Sequence, residues 1–416
     1  FGQWAGQLGD GRAINLCEIK TPSAAHKTLQ LKGSGRTPYS RSADGLAVLR
    51  SSIREFLCSE AMFHLGIATT RALSLSLTGD KVMRDMFYDG NPKTELGAVV
   101  CRVSSSFIRF GSFQLPASRQ DNALVKSLLD YVIKRDFSHL GQPTIAVYLQ
   151  WFNEVCQRTC QMVIDWMRVG FVHGVMNTDN MSIIGETIDY GPYGWIDNFD
   201  LNWTPNTTDA KAKRYRFGAQ GEIAQWNLFQ LANAIYPLIE DAEPLQTALN
   251  NFASNYQEKW HKMMADKLGI ILTNDNKEQV LALAIELEKH LSILNADMTL
   301  FYRKLAKLPD DQQQWLPSLS DCFYDELNID DKNKTQAKQE ELSFLTWLKK
   351  YIALRDETNE ARALISDRMN SVNPKYILRN YLAQQAIELA EQGDYSMIMQ
   401  LQQVLTQPYS EQVEFE

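Results

Sequence analysis

The sequence divides into a first part with a β-strand pattern and a longer remainder with a helical pattern, and this division most limits the folds it can adopt. Residues 1–116 carry short β-type runs between glycine turns, with candidate strands at Ala13–Ile19, Thr28–Leu31, Ala72–Leu77 and Gly97–Val103. One helix interrupts them and is expected to end at Gly66. Its apolar face, at 3.6-residue spacing, consists of Leu46, Leu49, Ile53, Phe56 and Leu57.

The remainder is predicted to be mostly helical. An apolar stripe ends at Gly170, and a polar loop follows with two short β-like pieces, Met181–Ile184 and Gly194–Ile196. Further helices are predicted at 221–239, 243–268, 277–306, 336–353, 375–391 and 394–406. We therefore expect three parts: a β-rich small lobe at 1–116, a helical lobe with catalytic and metal-binding loops at 117–240, and an additional helical region at 241–416.

Composition narrows the class of protein. The 416 residues carry a net charge of −8, which argues against a nucleic-acid binder that depends on positive potential. No segment reaches the roughly 18 uncharged apolar residues of a membrane helix, and no signal-peptide pattern opens the chain. Six scattered cysteines favour a reducing, cytoplasmic compartment. Because the chain starts without Met and stops in an acidic tail, we expect both ends to be truncated.

The opening segment is rich in glycine. Gly2, Gly6, Gly9 and Gly11 lie just before the first predicted strand, and Arg12 follows them. Glycines allow the backbone N–H groups to approach a phosphate closely, and the arginine favours anion binding. A turn-rich hairpin is the alternative interpretation of the glycine spacing alone.

A lysine and a glutamate stand in an informative order. Lys32 ends the predicted strand Leu29-Gln-Leu-Lys, and Glu55 lies in the middle of the helix that follows. Such a pair can hold the lysine ammonium over nucleotide phosphates. Each residue alone is typical of a solvated surface charge, so the prediction depends on their order along the chain.

The strongest motif is His173-Gly-Val-Met-Asn-Thr-Asp-Asn180. Protein kinases have a loop of the form H-R-D-x-x-x-x-N, and His173 and Asn180 keep that spacing. Val175 stands where the catalytic Asp would be, and an acid appears instead at Asp179. Asp189-Tyr-Gly then resembles the metal-binding D-F-G, so Asn180 and Asp189 together offer the hard oxygen ligands that Mg²⁺ prefers. A polar helix-to-strand turn is the alternative.

The order of these motifs is that of a kinase. It predicts an α+β, two-lobed protein-kinase-like fold with additional C-terminal helices. Arg102 and Arg109 flank a serine-rich segment, and guanidinium groups suit phosphate oxygens. Residues seven apart on an unbroken strand point to opposite faces, so both can reach one ligand only if the serines form a turn or bulge. From the spacing alone, two surface arginines are the favoured interpretation.

Several longer segments resemble the selenoprotein O family, from residue 1 to about 406. They include Gly-Gln-Trp-Ala-Gly-Gln-Leu-Gly-Asp-Gly-Arg, Leu-Gln-Leu-Lys-Gly-Ser-Gly-Arg-Thr-Pro-Tyr-Ser-Arg, His-Gly-Val-Met-Asn-Thr-Asp-Asn-Met-Ser and Asn-Pro-Lys-Tyr-Ile-Leu-Arg-Asn-Tyr-Leu. The resemblance implies a pseudokinase that binds ATP in a flipped orientation, with Mg²⁺ or Mn²⁺, and transfers AMP to Ser, Thr or Tyr of target proteins. Its partners would be ATP and protein substrates, with no nucleic acid and no membrane.

The resemblance also implies a role for individual residues. Asp179 would be the proton acceptor, Asn180 and Asp189 would bind the metal, and Glu55 would pair with Lys32. The residues implied to contact ATP are Gly9, Gly11, Arg12, Lys32, Asp44, Gly45, Arg102, Arg109 and Asp189. Family members normally have a C-terminal Cys or selenocysteine, whereas the last cysteine here is Cys322.

Two other functions remain open from the sequence. One is a true kinase in which Asp179 substitutes for the missing base, although Val175 itself cannot accept a proton. The other is a non-catalytic nucleotide-binding scaffold, which would have no need of the two metal ligands.

Overall fold

The computed structural model describes residues 11–22, 26–40, 42–85, 90–324, 334–358 and 360–415. Its sheet is small and antiparallel, with strand order β1-β2-β4-β3. The strands are β1 (Ala13–Lys20), β2 (His26–Lys32), β3 (Arg71–Arg84) and β4 (Lys93–Ser104). All four predicted strands are confirmed. Strands β3 and β4 extend further than predicted because residues 81–84 of β3 pair with residues 93–96 of β4.

Helix α1 (Leu49–His64) connects the two halves of this sheet. It packs against β3 and β4, and also against two helices from the C-terminal end of the chain. The helix ends at Leu65, followed by Gly66 in the left-handed conformation with φ 78°. The predicted helix and its stop are therefore confirmed.

The middle of the chain is helical, as its periodicity predicted. The elements are α2 (Phe110–Ser118), α3 (Asn122–Asp136), α4 (Ile145–Val169), β5 (Phe171–Val172), β6 (Gly194–Trp195), α5 (Gln220–Ile239) and α6 (Glu243–Lys267). Helix α4 begins where Thr144 accepts a hydrogen bond from the Val147 N–H and ends at Gly170, with φ 74°. Strands β5 and β6 pair with each other and enclose the polar loop predicted to carry the chemistry.

The C-terminal part is also helical, but two boundaries differ from prediction, and the helices at 315–319 and 362–372 were not predicted. Its helices are α7 (Lys277–Ile293), α8 (Met298–Leu305), α9 (Trp315–Leu319), α10 (Lys334–Arg355), α11 (Arg362–Val372), α12 (Asn380–Glu391) and α13 (Ser396–Leu405). The single helix predicted at 277–306 is two helices, because Asn295 adopts φ 51° and Asp297 caps a new start. Helix α12 begins after residue 375 because the Lys375 and Tyr376 N–H groups bond to the Pro408 carbonyl instead.

The strand predicted at Met181–Ile184 is wrong. The segment makes only an isolated bridge, between Ser182 and Arg109. Ser182 accepts a hydrogen bond from the Ile184 N–H at 3.3 Å, and its carbonyl accepts one from Gly185, so the chain turns there.

The described residues thus form a mixed α+β structure with a small antiparallel sheet. The core is continuous through α4, where Trp151, Phe152 and Trp166 are fully buried. Among the described helices, none has the length and apolar character needed to cross a membrane.

Candidate active site

Lys32 and Glu55 form a buried ion pair between the sheet and α1. Lys32 is the last residue of β2, and its Nζ donates to Glu55 Oε2. Both residues are buried, and Glu55 Oε1 also lies 3.3 Å from Arg102 NH1. Burial lowers the pKa of Lys32 to about 8, although Glu55 opposes the shift. The ammonium is therefore held in place by one carboxylate and lies in a desolvated setting.

Arg102 and Arg109 converge on the carboxylate of Asp189. Arg102 NH1 lies 2.7 Å from Asp189 Oδ1, and Arg109 NH2 lies 2.9 Å from Asp189 Oδ2. The two arginines meet because β4 ends at Ser104, whose Oγ accepts from the Ser106 N–H and closes a turn. The serine turn that the two arginines need in order to converge is therefore present. Arg109 is the residue immediately before α2.

Asp189 is held as a charged, geometrically constrained residue. Its backbone adopts φ 59°, in the left-handed region that Asp tolerates better than most residues. Burial alone would raise the pKa of its carboxyl, but Arg109, Arg102 and Lys32 outweigh that effect and keep the pKa well below its usual value. The carboxylate is therefore ionised at neutral pH.

The loop at 173–180 is fixed from several directions. The buried His173 donates from Nε2 to the Ile188 carbonyl at 2.8 Å, which ties this loop to the residue before Asp189. Burial lowers the pKa of His173, so the ring is neutral. Asn180 donates from Nδ2 to the Val175 carbonyl at 2.8 Å, and its Oδ1 has no hydrogen-bond partner in the described part of the chain. The backbone carbonyl of Val175 thus orients the side chain of Asn180.

Asp179 lies against the first turn of α2. A Cβ placed on Gly111 would collide with Asp179 Oδ1, so the carboxylate occupies the space that a side chain there would need. The same segment is held by Thr178, whose Oγ1 donates to Gln114 Oε1 at 2.6 Å. The position of Asp179 therefore depends on a glycine in a helix from a different part of the chain.

The oxygen ligands offered by Asn180 and Asp189 fit a magnesium ion whose coordination sphere is completed by phosphate oxygens. The described residues contain no cluster of three or more His, Cys, Asp or Glu side chains able to hold a metal alone. Asn180 and Asp189 supply hard oxygen atoms, which suit Mg²⁺ or Mn²⁺ when substrate oxygens complete the coordination. Asp189 would have to exchange at least one guanidinium contact to bind the ion.

A cavity of about 530 Å³ opens beside Lys32 and Glu55 and runs along α1. Arg12, Arg84 and Tyr193 are among its lining residues, which also include Trp203 from the segment after β6. The cavity is large enough for a nucleoside or an acceptor side chain, and its walls combine aromatic rings with guanidinium groups. It therefore extends the candidate site outward from the buried ion pair.

The remaining predicted contacts lie at the edge of this site. Asp44 pairs with Arg84 at 2.7 Å, and Gly45 adopts φ 72° at a position where a Cβ would collide with the Gly35 carbonyl. The Gly11 carbonyl accepts from Ser40 Oγ. Gly9, with most of the glycine loop, lies outside the described residues.

Sequence reasoning missed three supporting residues. Gln30 is buried in β2 and accepts a hydrogen bond from Arg102 NH2, and Gln220 binds the backbone of His173 and Phe171. Gly111 makes room for Asp179. A polar residue on the inward face of a strand was the signal available for Gln30, whereas no local pattern marked Gly111.

Comparison with known proteins gives the family. The family described as protein adenylyltransferase SelO matches residues 1–406. A protein nucleotidyltransferase YdiU from Rhodopirellula baltica is 52% identical over 429 residues, covering 99% of this chain and 78% of the relative. Proteins of the same name from Aromatoleum aromaticum and Azoarcus sp. are both 54% identical, with 99% and 100% of this chain and 77% and 78% of the relatives covered. The chain belongs to the protein adenylyltransferase SelO family.

Proposed function

We propose that this protein transfers AMP from ATP to Ser, Thr or Tyr hydroxyls of protein substrates, with the nucleotide bound in a reversed orientation on a protein-kinase-like fold. The observation that carries the proposal is the convergence of Arg102 and Arg109 on Asp189 beneath the sheet. Residues 1–116 and 117–240 would be the two lobes, and residues 241–416 an added helical region. The scattered cysteines favour a reducing compartment, the cytoplasm.

The charge of the site supports a buried polyphosphate. Within the connected ion pairs, Lys32, Arg102 and Arg109 supply three positive charges and Glu55 and Asp189 two negative charges, an excess of one before the separate carboxylate of Asp179 is counted. Buried charge without a partner is unfavourable. The β- and γ-phosphates could take over the guanidinium contacts of Asp189, which would free that carboxylate for Mg²⁺. The α-phosphate would then face outward, toward the acceptor hydroxyl.

The reaction requires one proton transfer and one displacement. Asp179 accepts the proton of the acceptor hydroxyl as its oxygen forms a bond to the α-phosphorus. The bond from that phosphorus to the bridging oxygen breaks, and pyrophosphate leaves with the electron pair. Lys32, Arg102 and Arg109 stabilise the charge that develops on pyrophosphate. A bound Mg²⁺, held by Asn180 and Asp189, would supply Lewis-acid stabilisation of the phosphate oxygens.

Labelled ATP tests this function against its alternatives. The purified protein is incubated with a bacterial protein extract and ATP that carries the label on either the α- or the γ-phosphate. Transfer of the α-label to protein supports adenylylation, and transfer of the γ-label alone would mean a kinase that uses Asp179 as its base. Transfer of neither label would leave a nucleotide-binding scaffold. Asp179→Asn serves as the matched control, since it keeps the size of the side chain but cannot accept the proton.

A further inference from the structure

The C-terminal end of the chain is bound to the helix that carries Glu55. Helix α1 packs against β3 and β4, and it also packs against α12 and α13. In sequence these helices lie more than 300 residues from α1. The helix that places Glu55 beside Lys32 is therefore enclosed between the sheet and the C-terminal helices.

The most specific contact is at the end of α1. The last carbonyls of a helix have no partner within it and must find one elsewhere. The Leu65 carbonyl accepts hydrogen bonds from Tyr409 Oη at 2.8 Å and from Arg168 NH2 at 2.9 Å. Arg168 NH1 in turn donates to Tyr409 Oη at 2.5 Å. One tyrosine hydroxyl thus joins α1, α4 and the C-terminal segment.

The segment that contains Tyr409 is itself anchored. Glu411 lies 2.7 Å from Arg303 NH2 and 3.0 Å from Lys307 Nζ, and it also pairs with Lys375. Hydrogen bonds from Lys375 and Lys307 lower the pKa of Glu411 to about 2, so the carboxylate is charged throughout the physiological range. These ion pairs join the segment to α8 only two residues beyond Tyr409, so they help to place its hydroxyl at Leu65.

A second contact joins α12 to the segment after Asp189. The Asn380 side chain donates to the Trp195 carbonyl at 2.8 Å and accepts from the Trp195 N–H at 3.3 Å. Two residues earlier, Tyr193 Oη donates to the Arg54 carbonyl in α1 at 2.6 Å, and the Arg54 guanidinium lies 4.3 Å from the Tyr193 ring centre. The chain after Asp189 is therefore bound to α12 on one flank and to α1 on the other.

We infer that Tyr409 and Asn380 are positioning residues for the transfer reaction: through them the C-terminal helices hold α1 so that Glu55 stays paired with Lys32. The inference rests on the proposed function, since it assigns the α12–α13 region a role in the same site. If α1 moves away from the sheet, Lys32 and Arg102 both lose the Glu55 carboxylate that orients them. The ammonium of Lys32 and the guanidinium of Arg102 would then no longer be positioned to bind the nucleotide phosphates.

The test is Tyr409→Phe, which removes one hydroxyl and keeps the ring. Loss of a single hydrogen bond predicts roughly a three- to tenfold fall in kcat/KM for ATP. Amide hydrogen exchange, followed by mass spectrometry over residues 49–67, should become faster in this variant. The thermal midpoint is measured alongside to separate positioning from general destabilisation.

Tyr376→Phe is the matched control. Among the described residues, its hydroxyl bonds only within the C-terminal segment, donating to the Gln412 carbonyl and accepting from the Gln412 N–H, both at 3.2 Å. We expect the two variants to lose similar thermal stability, but only Tyr409→Phe to lose transfer and to loosen α1. Equal transfer rates and equal exchange in the two variants would overturn the inference.

Two further outcomes keep the test decisive. If Tyr409→Phe does not fold, Asn380→Ala carries the same comparison through Trp195, and unchanged exchange in α1 would count against the proposal. If the unmodified protein transfers no α-label, the proposed function fails. The exchange comparison between Tyr409→Phe and Tyr376→Phe still decides whether the C-terminal segment holds α1.

Discussion

The guanidinium of Arg109 lies 2.9 Å from Oδ2 of Asp189, so an arginine expected to bind phosphate is bound to a carboxylate expected to bind metal. Arg102 occupies the other oxygen at 2.7 Å. In the proposed function, phosphates would compete for the arginines and a metal ion would compete for the carboxylate. The two ligands should therefore assist each other, because each frees a partner that the other needs.

The first prediction concerns this coupling. Mn²⁺ should bind more weakly to the protein alone than in the presence of a non-hydrolysable ATP analogue, by about 5- to 150-fold. Electron paramagnetic resonance of free Mn²⁺ measures both affinities. Asp189→Asn should lose the binding seen with nucleotide while keeping the left-handed backbone, which Asn tolerates. Equal Mn²⁺ affinities with and without the analogue would contradict the coupling.

The second prediction distinguishes the two arginines. Arg109→Ala should reduce transfer of the α-label by about a hundredfold or more, because stabilisation of the leaving pyrophosphate is lost. Arg102→Ala should also unfold more readily, by about 1–3 kcal/mol, since the buried Glu55 and Asp189 each lose one hydrogen-bonding cation and keep only Lys32 and Arg109. Transfer assays and chemical denaturation measure the two effects.

The arginine variants need a control of the same kind. Arg368→Ala removes an arginine that pairs with Glu360 at 2.7 Å in the C-terminal region, and it should leave transfer unchanged. Val175→Asp should not create a kinase, because the γ-phosphate would still face inward. Full activity of Arg109→Ala, or transfer of the γ-label by Val175→Asp, would remove the support for the reversed orientation.

The third prediction concerns the contact between Gly111 and Asp179. Gly111→Ala places a Cβ where Asp179 Oδ1 now lies, so the carboxylate must move. The helix should tolerate alanine, which is favoured over glycine in helices by roughly 0.5–1 kcal/mol. We expect kcat to fall while KM for ATP changes little. A double-mutant cycle with Asp179→Ala checks the cause, since Gly111→Ala should add almost nothing once the carboxylate is gone.

The fourth prediction is a pH dependence from Lys32. Its ammonium must be charged to bind phosphate, so kcat/KM for ATP should decline as the pH rises through about 8. In Lys32→Arg the guanidinium stays protonated, so this decline should disappear even if the overall rate is lower. A decline that begins only near the ordinary lysine value would show that Lys32 is not desolvated in the free enzyme.

The lowered pKa of Lys32 should affect the free energy of unfolding in the opposite direction: stability should rise with pH where activity falls. The pKa of Lys32 is lower in the folded protein than the ordinary value of 10.5, so the unfolded chain binds more protons between about pH 8 and that value. The contribution of Lys32 to the free energy of unfolding therefore rises with pH in this window. Denaturation of the unmodified protein and of Lys32→Met at pH 7.5 and pH 9.5 measures the difference.

Local patterns determined most of the secondary structure and the candidates for the site. The apolar stripe of α4 predicted the helix, and the glycine after it predicted where the helix ends. Both are local features of the sequence. The spacing between His173 and Asn180, and the order of Lys32 and Glu55 before them, identified the residues that we propose for the chemistry. These inferences needed no knowledge of distant contacts.

Tertiary structure decided how those residues meet. Arg102 and Arg109 reach one carboxylate only because a serine turn ends β4, and Asp179 is placed by a glycine in α2. Tyr409 binds the end of α1 through the Leu65 carbonyl, a backbone group that any residue would offer there. The order of side chains along the sequence indicates local secondary structure and the chemistry of nearby residues. The distances between segments far apart in the chain arise only when the whole core packs.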